Sequence, residues 1–371
     1  MARTLGVELF GDYSLIFAIF AYVSLLANFG FETYGTIEVA KVKSIEIINS
    51  VIVLRTIYAL VLLLIVILLH LYFDVSRSLL LLLQSGSILL LPFSFQFALR
   101  AIDQMQWVGW QRFIQSGVFL VLVYLVIDHH SLMKIPVLWF ASSGISLIPL
   151  IVVMRKKFNH KFFIPRFDVI KAVFIGSASI GISSALILIY LNFDTILLGV
   201  FLNSYSVGIY SAAFKIYYAG YAMLGLYYMA FLPTLSRVSA QSFGAKSIYI
   251  RLLMIIGLVT AVAGYIEAEP LIRILFGTEF LAAVTSLKIL FAALGIACMN
   301  FAFMNPLQAI GKQKVFNVIL LIRTLIFLIV CVVLIPPYGI EGAAVSTLLA
   351  EILTVFLSYH EFSKVFNHKS I

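Results

Sequence analysis

Charge is what this sequence has least of. Only 11% of its 371 residues are Asp, Glu, Lys or Arg, against 63% hydrophobic, and mean hydropathy is +1.11. A soluble domain carries about 25% charged residues, so a surface this poor in charge must have lipid as its main solvent. Cysteine is scarce as well. Cys298 and Cys331 fall inside apolar runs with no His or Cys at ligand spacing, which excludes a disulfide framework and a metal site and leaves packing. No Gly-x-x-x-x-Gly-Lys-Ser/Thr loop is present to cradle nucleotide phosphate, because Gly311-Lys312 lacks its partner glycine. His129-His130 has no carboxylate at ligand spacing and reads as a solvated loop pair. No long polar loop with clustered Asp, Arg or His occurs, which argues against a membrane-embedded glycosyltransferase or polymerase. The chain is expected to be no enzyme and to need no cofactor. Residues 1–11 have no apolar core, so no cleavable signal peptide is expected.

What is present in their place is a series of apolar runs. A run of roughly 20 apolar residues crosses the hydrocarbon core as a helix. Such runs occupy 13–31, 48–72, 79–98, 113–127, 135–154, 169–191, 209–232, 249–268, 286–304, 315–335 and 342–359. The fold class is therefore all-α: a polytopic membrane protein with about 11 spans. Residues 32–46 mix charge with Ile37, Val39 and Val42, which suits an interfacial amphipathic stretch or a helix extension.

The net charge of +9 could suggest nucleic acid, but the cations lie in short loops rather than in a polar stripe. Lys41 and Lys43, Arg100 and Arg112, the run from Arg155 to Lys171, and Lys364 fall on alternate loops, whereas the opposite loops hold only Arg3, Arg77, Lys134 and Arg273. By the positive-inside rule the C-terminus is cytoplasmic.

The chain also repeats. Gly11-Asp-Tyr-Ser can be laid on Gly208-Ile-Tyr-Ser, and Arg100-Ala-Ile-Asp on Gln308-Ala-Ile-Gly, in the same order. Two parallel bundles are expected, 1–154 and 169–371, joined by a basic cytoplasmic linker at 155–168, with a substrate cavity at their interface.

Ionisable residues inside spans are the candidate functional groups, since a charge at bilayer depth costs about 2.5–3.5 kcal/mol on insertion scales and faces a cavity or a partner. Arg55, Lys215, Lys288 and Arg323 are the cations; Asp194 and Glu351 are candidate counter-charges or ion-coupling groups. Lys288 begins its span and can also reach the interface by snorkelling, as can Arg55. Asp194 either pairs with a cation or caps its helix; Glu351 is either a proton-sensitive switch or the partner of a basic residue. Four cations against two acids leave a positive interior, suited to an anionic passenger. Tyr217, Tyr218, Tyr221, Tyr227 and Tyr228 cluster in one span, open to sugar stacking but equally to packing. The small residues from Gly176 to Ala185 predict close helix packing.

Asp194, Gly208-Ile-Tyr-Ser-Ala-Ala-Phe-Lys215, Pro233-Thr-Leu-Ser-Arg237, Leu275-Phe-Gly-Thr-Glu-Phe280, Ala309-Ile-Gly-Lys312 and Ile335-Pro-Pro-Tyr-Gly-Ile-Glu-Gly-Ala-Ala344 form an ordered series of stretches. Together they resemble Wzx-type polysaccharide flippases of the multidrug/oligosaccharidyl-lipid/polysaccharide exporter group. The likeness covers nearly the whole chain. Met1-Ala-Arg-Thr-Leu-Gly and Phe10-Gly-Asp-Tyr resemble the loop that follows the first helix in that family, so a 12-helix fold lacking its first helix is expected. The resemblance implies alternating-access translocation of undecaprenyl-pyrophosphate-linked O-antigen or other polysaccharide units across the bacterial inner membrane. Membrane lipid, the lipid-linked oligosaccharide and other assembly proteins such as the polymerase would be its partners, and nucleic acid would not. The alternatives are a drug or organic-cation exporter of the same superfamily, for which an acidic cavity would be needed, and an inactive truncated remnant.

Overall fold

A computed structural model describes residues 1–73, 76–126, 132–158, 162–237 and 243–367. His129 and His130 lie outside them. The described residues are helical almost throughout: α1 (Ala2–Asn28), α2 (Phe31–Val42), α3 (Ile45–Phe73), α4 (Ser76–Ser85), α5 (Gln96–Ala101), α6 (Met105–Val126), α7 (Lys134–Phe158), α8 (Phe167–Phe201), α9 (Ser204–Arg237), α10 (Phe243–Leu275), α11 (Val284–Ala309) and α12 (Gln313–Asn367). Segments of 3-10 helix fill Gly86–Phe93 and Thr278–Ala283. Helix satisfies every backbone group inside one segment, which the dry bilayer core demands.

Nine helical segments among the described residues are long and apolar enough to cross a membrane. One of them, Gln313–Val365, has 53 residues, about 80 Å at 1.5 Å per residue, more than twice a hydrocarbon core of about 30 Å. Its helix is interrupted at Gly339 (φ +57°, ψ −130°), just after Pro336-Pro337. Those dihedrals are open to glycine and strained for any residue with a Cβ. The interruption divides this element into the two spans expected at 315–335 and 342–359. Gly339→Ala should lower stability by about 1–3 kcal/mol, read as a shifted unfolding midpoint in detergent; an unchanged midpoint would mean that the kink relaxes freely. The tyrosine-rich α9 is not among the nine, although it is 34 residues long.

Two expectations need correction. Residues 1–11 are not a loop: α1 begins at Ala2 and is bent at Gly6 (φ +76°). The span expected at 79–98 is not one helix but α4, a 3-10 segment containing Pro92, and α5. Proline removes an N–H and clashes with the preceding turn, so mean hydropathy registers the span while missing its break.

The residues pack into two units. One is Ile16–Leu188 with Met1 and Arg3–Leu5, and the other is Ile189–Ile371 with Ala2 and Gly6–Leu15. In the first, α1 ends in two left-handed residues, Phe29 and Gly30, and α2 then buries Phe31, Gly35 and Val39 on one face. Those residues join a core with Ile48, Val51, Phe97, Leu99, Leu150 and Met154. Gly176 lies against the Tyr34 ring and Gly181 against the backbone of Phe29, as a small-residue face allows, while Ser179 points outward. In the second unit α11 is the central helix, packed by α9, α10 and α12. A Cβ added at Gly257 would lie 2.6 Å from the Gly295 carbonyl oxygen, so α10 and α11 approach at a bare backbone contact, as lipid-embedded helices do. Cys298 and Cys331 are free and buried.

Candidate functional site

The first unit holds its buried charge at the broken span. Arg55, on α3, is completely buried, and each N–H of its fork has a use. Nε and Nη2 donate to Asn28 Oδ1 at 3.1 and 2.7 Å, Nη2 also to Glu32 Oε2 at 3.3 Å, and Nη1 to the carbonyls of Leu91 and Ser94 at 3.3 and 3.0 Å. The two carbonyls belong to the segment around Pro92, where the helix ladder is interrupted. Leu91 O also accepts from the Ser94 N–H at 3.0 Å, so the guanidinium adds a second bond there and satisfies the Ser94 carbonyl; its carbon lies 5.2 Å from the Phe97 ring centroid. Glu32 is shared with a second cation, Arg100, whose Nη1 sits 2.9 Å from Oε1. Two guanidinium groups thus meet one carboxylate. Arg100 was expected only as a loop charge setting orientation, and Glu32 only as part of an amphipathic stretch; both are half-buried at this centre.

The second unit has a buried centre on α8, α9, α11 and α12. Arg323 Nη2 is ion-paired to Glu351 Oε1, and its guanidinium carbon lies 3.5 Å from the Tyr190 ring centroid. Glu351 also accepts from Tyr190 Oη at 2.8 Å and Tyr217 Oη at 3.3 Å, and from the Asn300 side-chain amide. Asn300 Nδ2 reaches the Glu351 backbone carbonyl too, at 3.1 Å. Glu351 is therefore the partner of a basic residue, one of the two roles open to it in the sequence. Arg323 Nε and Asn300 Oδ1 have no hydrogen-bond partner among the described residues.

Asp194 takes neither role foreseen for it. It is fully buried within α8, away from the helix end, and accepts from the Tyr210 hydroxyl, from the Thr195 N–H at 2.6 Å and from Thr195 Oγ1 at 3.3 Å. No cation pairs with it among the described residues. Lys215 is exposed on α9, with its ammonium 4.4 Å from the Phe10 ring centroid and 5.7 Å from that of Tyr13. Lys288, in the second turn of α11, sits 4.7 Å from the Tyr265 centroid. Neither lysine meets a carboxylate among the described residues. The structure thus joins Arg323 to Glu351 but leaves Lys215 and Lys288 on aromatic faces, where a cation gains about 0.5–2 kcal/mol. Of the α9 tyrosines, Tyr217 is buried at Glu351, Tyr228 bonds Gln308 at 3.2 Å, Tyr227 stacks on Tyr249, and Tyr218 is exposed. Packing accounts for most of that cluster.

The arrangement can hold an anion near cations that its own carboxylates do not fully neutralise. No three His, Cys, Asp or Glu side chains gather as a metal site among the described residues.

Comparison with known proteins bears on the family and the fold. The polysaccharide biosynthesis protein family matches residues 1–239. An uncharacterized membrane protein of Methanocaldococcus jannaschii is 28% identical over 131 residues, which is 35% of this chain and 25% of that protein; the chain spans a quarter of that relative's length. Among solved structures, an inward-facing multidrug resistance MATE family transporter of the MOP superfamily superposes with a TM-score of 0.77 at 14% identity, covering 100% of this chain and 94% of that one. The lipid II flippase MurJ, in an inward closed conformation, superposes with a TM-score of 0.76 at 16% identity, covering 99% and 86%. The chain belongs to the polysaccharide biosynthesis protein family, as a multi-pass membrane protein with the fold of those two solved structures.

Proposed function

We propose that this protein is a flippase that carries undecaprenyl-pyrophosphate-linked O-antigen or other polysaccharide repeat units across the bacterial inner membrane. In this reading the bundles 1–154 and 169–371, joined by the linker 155–168, alternate in access, and the C-terminus is cytoplasmic. One observation carries the substrate charge: membrane-embedded cations outnumber the acids that face them. Arg55 and Arg100 share Glu32, and Lys215 and Lys288 have no carboxylate among the described residues. A pyrophosphate supplies the missing negative charge.

A second reading, export of an organic cation, draws on Asp194, a buried carboxylate with no cation beside it among the described residues. Its oxygens already accept three hydrogen bonds from Tyr210 and Thr195, so it is better suited to ion coupling than to holding a drug.

Lys215→Ala should cut export about tenfold or more, the worth of a charge-assisted bond, at unchanged protein level, because Lys215 is exposed and makes no ion pair among the described residues. The assay is surface glycan in a strain lacking its own repeat-unit flippase, with drug susceptibility measured alongside. Restored glycan supports the flippase. Drug resistance without restored glycan would favour the cation exporter. Full glycan with Lys215→Ala would remove that lysine from the path.

A further inference from the structure

Beyond the charged centre, the first unit contains a cleft of about 190 Å³. At roughly 30 Å³ per molecule it would hold about six waters. Its polar lining is uncharged. Gln96 Nε2 donates to Gln111 Oε1 at 2.9 Å; Gln111 Nε2 donates to Ser146 Oγ at 2.9 Å and Gln115 Oε1 at 3.3 Å; Gln115 Nε2 donates to Ser143 Oγ at 2.9 Å. This amide chain starts on the cationic centre, since Arg100 donates to Gln96 Oε1 at 2.9 Å. Trp139 forms another wall.

Interhelical hydrogen bonding is the ordinary use of amides in a membrane bundle, and it explains why Gln111 is buried against Ser146. It does not explain the cleft. An amide offers two N–H donors and a carbonyl with two lone pairs, and the half-buried Gln115 spends one of each within the chain. Capacity of both kinds therefore remains beside an aromatic wall and without net charge. A carboxylate or phosphate would find no cation inside, whereas hydroxyl groups, which donate and accept together, match the lining.

We propose that this cleft is a binding subsite for an uncharged sugar residue of the cargo, adjoining the cationic centre that faces the pyrophosphate. The proposal rests on the flippase reading, and its test separates the two.

The full chain in nanodiscs would be titrated with undecaprenyl pyrophosphate bearing no sugar and, separately, with free oligosaccharides, some of neutral hexose and N-acetylhexosamine and others of uronic acids. Tryptophan fluorescence is the readout, and Trp139→Phe identifies the reporting ring. Saturable quenching by a neutral saccharide, weakened about three- to tenfold in Gln115→Leu and Ser143→Ala, as expected for one lost hydrogen bond, supports the subsite. Bare lipid pyrophosphate should bind those variants as it binds the wild type. Lowered thermal stability in the variants with no saccharide response in the wild type would overturn the subsite and leave the amides as interhelical ties. Saccharide binding without lipid pyrophosphate binding would sustain the subsite and sink the flippase reading; binding of neither would sink both.

Discussion

Glu351→Ala should destabilise the protein by about 3–5 kcal/mol, the cost of leaving a buried charge uncompensated. The carboxylate is fully buried and serves four groups at once: the Arg323 guanidinium, the hydroxyls of Tyr190 and Tyr217, and the Asn300 amide. Its removal strands a buried cation against the Tyr190 ring with no carboxylate beside it among the described residues. The pair Arg323→Met with Glu351→Leu should regain most of that loss, because exchanging both members of a buried ion pair for apolar side chains is often neutral or better. Denaturant unfolding of the two single variants and the double variant gives the coupling directly. If stabilities simply add, Arg323 and Glu351 do not depend on one another. If the double variant is stable yet does not support export, the pair is kept for transport rather than for folding.

Arg55→Ala should be equally severe, about 3–5 kcal/mol, and local in its effect. It takes away the guanidinium bonds to the Ser94 and Leu91 carbonyls at the break beside Pro92, of which Leu91 keeps the Ser94 N–H, and leaves Asn28 and Glu32 bonded only to each other on that side. Backbone amides around Gly86–Ala101 should lose protection in hydrogen exchange, while α11, in the other unit, keeps it. Arg55→Lys should recover little. Three donors on a flexible stem do not reproduce a planar fork that serves an amide, a carboxylate and two carbonyls together. Unchanged exchange at the break would mean that the guanidinium is not what holds it.

Much of this was legible from hydropathy, because the bilayer imposes one length and one backbone solution on every crossing. Arg55, Arg323 and Glu351 stood out because each interrupts an apolar run. Their partners were harder to see for physical reasons. Glu32 and Arg100 lie near the ends of runs, where charge is ordinary, and nothing local indicates that a guanidinium will turn inward. Gln96, Gln111 and Gln115 are neutral and barely disturb a hydropathy profile. The pairing of Asp194 with Tyr210 joins two helices across a turn and has no periodic signature. Pro92 was the available signal for the break in the third span, yet a proline between so many leucines leaves the mean hydropathy high. The Gly339 kink, by contrast, was anticipated as a gap between two runs, since Pro336-Pro337 and the small residues after it lower the local hydropathy.

The central claim is that cations held in these bundles move an anionic lipid-linked sugar, and translocation by the purified chain tests it most directly. Proteoliposomes would carry a fluorescent undecaprenyl-pyrophosphate-linked oligosaccharide in both leaflets, and quenching of the outer leaflet would then be followed over time. Wild-type protein should let the inner-leaflet population reach the quencher, and Lys215→Ala should slow that exchange about tenfold. Equal exchange in protein-free liposomes, or transport of an organic cation with none of the lipid-linked sugar, would contradict the account.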